Sequence, residues 1–214
     1  PQWISTVNFN LRKPNFIIIH HTAQDSLQQT IKTFTITRTQ VSAHYVISDD
    51  GTVVQMLNDY LRAWHGGNAS WGKNTDINSA SIGIELDNNG CEPFSEAQIN
   101  SLLALLSRLK KEYNIPIQNI IAHSDIAPTR KSDPSAFFPW KTLADLGFGL
   151  WPNADLEKAP ENFNIEQGLR IIGYDTRNLS SAIKAFKLHY IQTEIDDVLD
   201  EKTINTIYSI YKKQ

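Results

Sequence analysis

The chain of 214 residues contains one cysteine, Cys91, and one methionine. A single thiol excludes an intrachain disulfide and any cysteine-built zinc finger. It leaves the redox compartment open, because a domain of this size folds without covalent staples. Long apolar runs are missing too: none approaches the roughly 20 residues that cross a bilayer, so no membrane span is expected. Basic charge is not in excess. Twenty Lys and Arg against 23 Asp and Glu give a formal charge of -3, which lacks the positive field that draws nucleic acid, and no nucleic-acid partner is expected. With 41% apolar and 20% charged residues, the composition excludes disordered and collagen-like chains. The chain begins at Pro1 rather than at Met, so the expectation is that an upstream segment, such as a signal peptide, has been removed.

The apolar runs that are present are short. Phe16–Ile19, Tyr45–Ile47, Val53–Leu57 and Ile82–Leu86 predict strands, and Asp49-Asp50-Gly51 is a hairpin turn signal. Between the first two, Asp25 to Thr37 puts Leu27, Ile31 and Phe34 at helical spacing. Ser95 with Gln98 makes a capping-box pattern, and Phe94 with Ile99 a hydrophobic staple. They open a helix to about Tyr113 whose apolar face is Ile99, Leu102, Leu103, Leu106, Leu109 and Tyr113. Asn114 and Pro116 stop it, and Ile117 to Ala122 reads as a short last strand leading into a loop. Helices interleaved with strands imply an α/β or α+β fold, a mixed central sheet flanked by helices.

Trp151 to Asn164 is polar and proline-punctuated. Beyond it, Ile165–Ile172, Leu179–Tyr190 and Lys202–Tyr211 read as three short helices. The expected division is a first domain over residues 1–152, a linker over 153–164 and a small all-α three-helix unit over 165–214. About fifty residues is near the lower limit for an independent core, so this unit should lean on the first.

Chemistry concentrates in Ile120-Ile121-Ala122-His123-Ser124-Asp125-Ile126-Ala127-Pro128-Thr129-Arg130-Lys131-Ser132-Asp133-Pro134, which places an imidazole, a lysine and a carboxylate in one proline-bounded loop. With a histidine from the end of Phe16–Ile19, His123 and Asp133 offer two nitrogens and one oxygen. That set suits a zinc ion with a fourth position open for water. Spacing does not choose between His20 and His21. Glu85 closes an apolar run, an unfavourable place for a charge unless it serves as a general base or bonds to nearby backbone. Lys131 could face a developing oxyanion or simply be solvated. Arg62, Trp64, His65 and Asn68, with Trp71, form an aromatic, glycine-bearing stretch suited to binding sugars or peptides; the alternative for either tryptophan is a ring that anchors a long loop. His44 suits a supporting role, and His189, with Lys187 on an amphipathic helix, reads as an ordinary structural histidine.

Taken in order, Ile17-Ile18-Ile19-His20-His21-Thr22, Ser42-Ala43-His44-Tyr45, Arg62-Ala63-Trp64-His65, Ser81-Ile82-Gly83-Ile84-Glu85, the loop from His123 to Pro134, and Phe138-Pro139-Trp140 carry a family resemblance. Over residues 14 to 150 the chain resembles the zinc-dependent N-acetylmuramoyl-L-alanine amidases related to AmpD and AmiD, phage lysozyme-type amidases and peptidoglycan recognition proteins. The family's motif of histidine, any residue, then Ser or Thr selects His20. The resemblance implies one zinc held by His20, His123 and Asp133, with Glu85 as base and Lys131 as oxyanion partner. It implies hydrolysis of the amide between N-acetylmuramic acid, or its 1,6-anhydro form, and L-alanine of peptidoglycan or muropeptides. It also implies a periplasmic or cell-envelope setting, with the cytoplasm as the alternative; no oligomeric state follows. The AmiD-like branch matches best, since the insertions of the AmpD branch are absent. Residues 169–174 and 182–190 resemble three-helix peptidoglycan-binding modules, although Glu194-Ile195-Asp196-Asp197 replaces their usual glycine-rich turn. Two rivals stand beside this reading. One is a recognition module that binds without cutting, and the other a serine hydrolase using Ser124 beside His123, which lacks a nucleophile-elbow glycine pattern.

Overall fold

The computed structural model describes residues 12–24 and 26–214. In chain order the elements are β1 (Phe16–His21), α1 (Leu27–Thr35), β2 (Tyr45–Ile47), β3 (Val53–Gln55), α2 (Ile77–Ala80), β4 (Ser81–Leu86) and α3 (Glu96–Tyr113). There follow β5 (Ile120–Ala122), α4 (His123–Ile126), α5 (Trp140–Asp145), α6 (Ile165–Ile172), α7 (Leu179–Tyr190) and α8 (Glu201–Tyr211). The sheet runs β3-β2-β4-β1-β5. β1 pairs in parallel with β4 and β5, β2 in parallel with β4, and β3 is antiparallel, folded back on β2 through the Asp49-Asp50-Gly51 turn. Gly51 takes φ +85° there, with its N–H on Ser48 O at 2.9 Å.

β1, an interior strand, is buried on both faces, which is why its sequence carries a continuous isoleucine run rather than an alternation. Ile17 and Ile19, with Ile120 and Ala122, enter a core with Leu102, Leu106 and Leu109 of α3. Ile18 and Ile121 point the other way, into a second core with Leu169 and Ile172 of α6, Phe186 of α7 and Ile207 of α8. The result is three layers, α3 on one face of the sheet and the C-terminal helices on the other. Trp71 fastens these helices from outside the sheet. Its N–H partner Asn74 O closes a tight turn, Gly72 N–H reaches Gly173 O at 2.7 Å, and its ring lies 4.9 Å from that of Tyr174. A Cβ on Gly173 would fall 2.2 Å from Trp71 Cε2, so only glycine fits.

Local departures from the sequence reading have local causes. Ser95 caps α3 as expected, accepting Gln98 N–H at 3.1 Å, but the Gln98 side chain donates to Ile47 O and Asp87 O instead of completing the capping box. Leu105 joins the buried face and Leu103 is only partly covered. α1 is capped by Ser26 and ends at Thr35; the expected start at Asp25 lies outside the described residues, as does the chain start at Pro1. After Pro116 the backbone makes a 3-10 turn at Ile117–Asn119 before β5. The proline-bounded loop opens not as irregular chain but as the helical turn α4, with Asp125 bonded back to Ala122 N–H. α2 and α5 are too short for periodicity to reveal.

Candidate active site

Three strands deliver the chemistry to one edge of the sheet. In the parallel register His20 lies beside Glu85 and Ile19 beside Ala122. Side chains two apart share a face, so His20 follows Ile18, His123 follows Ile121 and Glu85 follows Gly83, all at the carboxyl ends of their strands. The loop after α4 then returns, with Ser124 N–H on Asp133 O at 2.9 Å, bringing a carboxylate ten residues downstream against His123. His20 Nδ1 and His123 Nδ1 are 2.9 Å apart, and they lie 3.2 and 3.0 Å from Asp133 Oδ2. His21 points to the opposite face, where its Nδ1 accepts Ser135 N–H at 3.2 Å and its ring packs on Gly90. It therefore steadies the segment after Asp133 and is not part of the cluster.

The hydrogen-bond partners fix the tautomers. Ser81 Oγ donates to Ile77 O at 2.6 Å, so it accepts from His65 Nε2 at 3.0 Å. His65 Nδ1 then carries a lone pair and accepts His20 Nε2–H at 3.1 Å, which leaves His20 Nδ1 bare. His123 Nε2 faces only Gly66 O, at 3.4 Å, so His123 Nδ1 is bare as well. Two nitrogen lone pairs and a carboxylate oxygen thus converge on one point with no proton between them. A tetrahedral face around zinc has edges of about 3.3–3.4 Å for bonds near 2.0–2.1 Å, close to the distances here. Donor set, geometry and tautomers all fit a zinc ion. His65 has room for this role because Gly83 lacks a side chain: a Cβ there would fall 2.4 Å from His65 Cγ.

Burial pushes His20 down to about 4, with His123 adding repulsion, so the ring is neutral near pH 7. His65 is driven well below its ordinary range by burial and by the neighbouring rings of His20 and His44. Burial alone would raise Asp133, but its close contacts with His123 and His20 prevail and hold it well below the usual carboxylate range. Glu85 moves the other way. Burial, reinforced by the Asp133 charge and opposed by Lys131, pushes it up to about 8. Its Oε1 lies 3.9 Å from His20 Nδ1 and its Oε2 is buried without a hydrogen-bond partner among the described residues, a carboxyl left free beside His20, His123 and Asp133. Lys131 is exposed on the rim of a cleft of about 460 Å³ that also receives His20, Glu85, His123 and Asp133. Ser124 Oγ is buried with no hydrogen-bond partner, and hence no base to activate it, among the described residues.

Residues 10–136 match the family model described as N-acetylmuramoyl-L-alanine amidase. The chain belongs to the N-acetylmuramoyl-L-alanine amidase family. Among its relatives, the amidase AmiD of Escherichia coli strain K12 is 33% identical over 87% of this chain and 78% of its own length. AmiD solved with its substrate anhydro-N-acetylmuramic acid-L-Ala-D-γ-Glu-L-Lys superposes with a TM-score of 0.85 over 98% of this chain and 93% of that one, at 30% identity. AmpDh3 of Pseudomonas aeruginosa, solved with an anhydromuramic pentapeptide, gives 0.84 over 99% and 96% at 27% identity. The 1,6-anhydro-N-acetylmuramyl-L-alanine amidase AmpD of Haemophilus influenzae is 39% identical over 48% of this chain and 56% of its own length.

In the amidase the five residues read as a binding stretch part company. Trp64 is 51% exposed and lines the cleft with Val41, Ser42 and Phe34. His65 also borders the cleft, but both its ring nitrogens are engaged in the chain to Ser81. Trp71 is buried, locked against Tyr174 and Gly173 and away from the cleft. Arg62 is held at the surface by Asp76 and Ser79. Asn68 is exposed, its carbonyl accepting from Arg130, which also bonds Gly66 O and so braces the carbonyl that faces His123. Sequence reasoning missed Ser81, Gly83 and Arg130. Of these only Gly83 carried a signal, an isolated glycine inside a strand.

Proposed function

We propose that the amidase uses one zinc ion to hydrolyse the amide between N-acetylmuramic acid, including its 1,6-anhydro form, and the L-alanine of the stem peptide, on peptidoglycan or its fragments. The observation that carries this reading is the convergence of His20 Nδ1, His123 Nδ1 and an Asp133 oxygen beside the partnerless Glu85. His20, His123 and Asp133 would hold the ion, which when bound polarises the scissile carbonyl and lowers the pKa of a water toward about 7. Glu85 accepts the proton of the attacking water and delivers it to the leaving amine. Lys131 offers its ammonium to the oxygen that becomes negative as the carbonyl carbon turns tetrahedral. Exposed Trp64 supplies a stacking surface at the cleft mouth.

The proposed organisation is a catalytic domain over residues 1–152, a linker over 153–164 and a helical unit over 165–214, working in the periplasm or cell envelope on wall turnover or recycling. No helix among the described residues is long and apolar enough to cross a membrane. Glu85→Ala tests the assignment: zinc stays bound while turnover is lost, whereas substantial retained activity refutes Glu85 as the base. A module that only binds the wall would have no need of a partnerless carboxyl beside three converging ligand atoms.

A further inference from the structure

One buried carboxylate joins the C-terminal helices to the turn that carries His123. Asp125 is fully buried within α4. Its Oδ2 accepts Ala122 N–H at 2.8 Å and His189 Nδ1–H at 2.6 Å, and its Oδ1 accepts Tyr174 OH at 2.5 Å. The first of these bonds caps the turn from inside the sheet domain. The other two come from beyond residue 164. A buried carboxylate must have its oxygens satisfied, and partners on a separate element set where it sits. Those partners are themselves fixed. His189 is fully buried, stacked on Trp140 at 3.9 Å and on Tyr190 at 3.9 Å, while Tyr174 is wedged against Trp71 and Phe186. His189 Nε2 has no partner, so Asp125 is the ring's one hydrogen bond among the described residues.

We propose that Tyr174 and His189 are positioning residues for the metal site: acting through Asp125, they fix the first turn of α4 and with it His123 Nδ1 relative to His20 and Asp133. The C-terminal helices are then a brace of the active site and not a detachable wall anchor. The acidic turn agrees with this, because Asp196 is engaged by Lys187 of the same unit at 2.5 Å and Asp197 by Ser180 at 2.5 Å. The inference rests on the zinc reading above.

The test uses the full chain as Tyr174→Phe, His189→Leu and His189→Asn, the last keeping an N–H near the position of Nδ1. Three quantities are read: zinc affinity by competition with a chromophoric chelator, kcat and KM on a soluble anhydromuropeptide, and co-sedimentation with purified sacculi. Outer partners of metal ligands are worth 10–100-fold in affinity. Tyr174→Phe and His189→Leu should therefore weaken zinc binding about tenfold and lower kcat on the soluble fragment with KM little changed. His189→Asn should recover most of the loss, and sedimentation should be unaltered. Tyr174→Phe deletes one oxygen and carries the test if His189→Leu does not fold. Unchanged zinc affinity and soluble turnover overturn the brace, and lost sedimentation with intact soluble turnover identifies a wall anchor instead. Wild-type protein that binds no zinc overturns the metal reading itself, an outcome distinct from equal, tight binding by wild type and variants.

Discussion

Glu85 makes the metal-free amidase titrate in an unusual direction. The folded state holds the Glu85 proton up to about pH 8, against an ordinary value of 4.5, because burial and the Asp133 charge disfavour the carboxylate. Between those values the folded protein binds more protons than the unfolded chain. The stability from this group is fully present below pH 4.5 and is lost as pH rises through 8. At about 1.4 kcal/mol per pH unit the loss amounts to roughly 5 kcal/mol. Glu85→Gln keeps the shape and removes the titration, while the opposing His20 contribution, which is lost as pH falls through 4, is present in both proteins. Urea unfolding of chelator-treated wild type and Glu85→Gln from pH 4.5 to 8.5 should therefore show the variant gaining on wild type by roughly 3–5 kcal/mol. Saturating zinc should remove the trend, since a nearby dication favours the carboxylate. A stability difference that stays constant with pH would mean that Glu85 titrates as a solvated surface group, and the environment assigned to it would be wrong.

Gly83→Ala should push His65 off its contact with His20. An overpacked site costs about 1–3 kcal/mol, and calorimetric zinc titration should show affinity lower by about tenfold or more. The two tryptophans should separate cleanly: Trp71→Ala costs about 3–5 kcal/mol in denaturant unfolding. Trp64→Ala leaves stability within about 1 kcal/mol and raises KM several-fold.

Much of this site can be read in the residues, but not its wiring. The six-residue segments of β1 and β4 are legible as strands because isoleucines dominate their buried positions. The same richness hides which of His20 and His21 turns toward His123 and Asp133, since a strand buried on both sides has no polar alternation to give its parity. The resemblance chose His20, and the register with Ile18 and Ile121 gives the physical reason. Trp64 and Trp71 look alike in sequence; their fates are decided by Gly173 and Tyr174, a hundred residues away, which local reasoning does not reach. Ser81 reads as an ordinary strand start, yet its bond to Ile77 O sets the tautomers of two histidines. Asp125 and His189, both plain framework in the sequence, meet only because α7 packs on the sheet face that carries α4.

Mass analysis of the products from a defined 1,6-anhydro-N-acetylmuramyl peptide, with zinc removed and restored, tests the central claim most directly. The account predicts a free peptide beginning at L-alanine and a peptide-free muramyl product, lost on chelation, recovered with zinc and indifferent to serine-directed reagents. Substrate that is bound but left intact by the zinc-loaded protein, or cleavage that persists without metal, would contradict it.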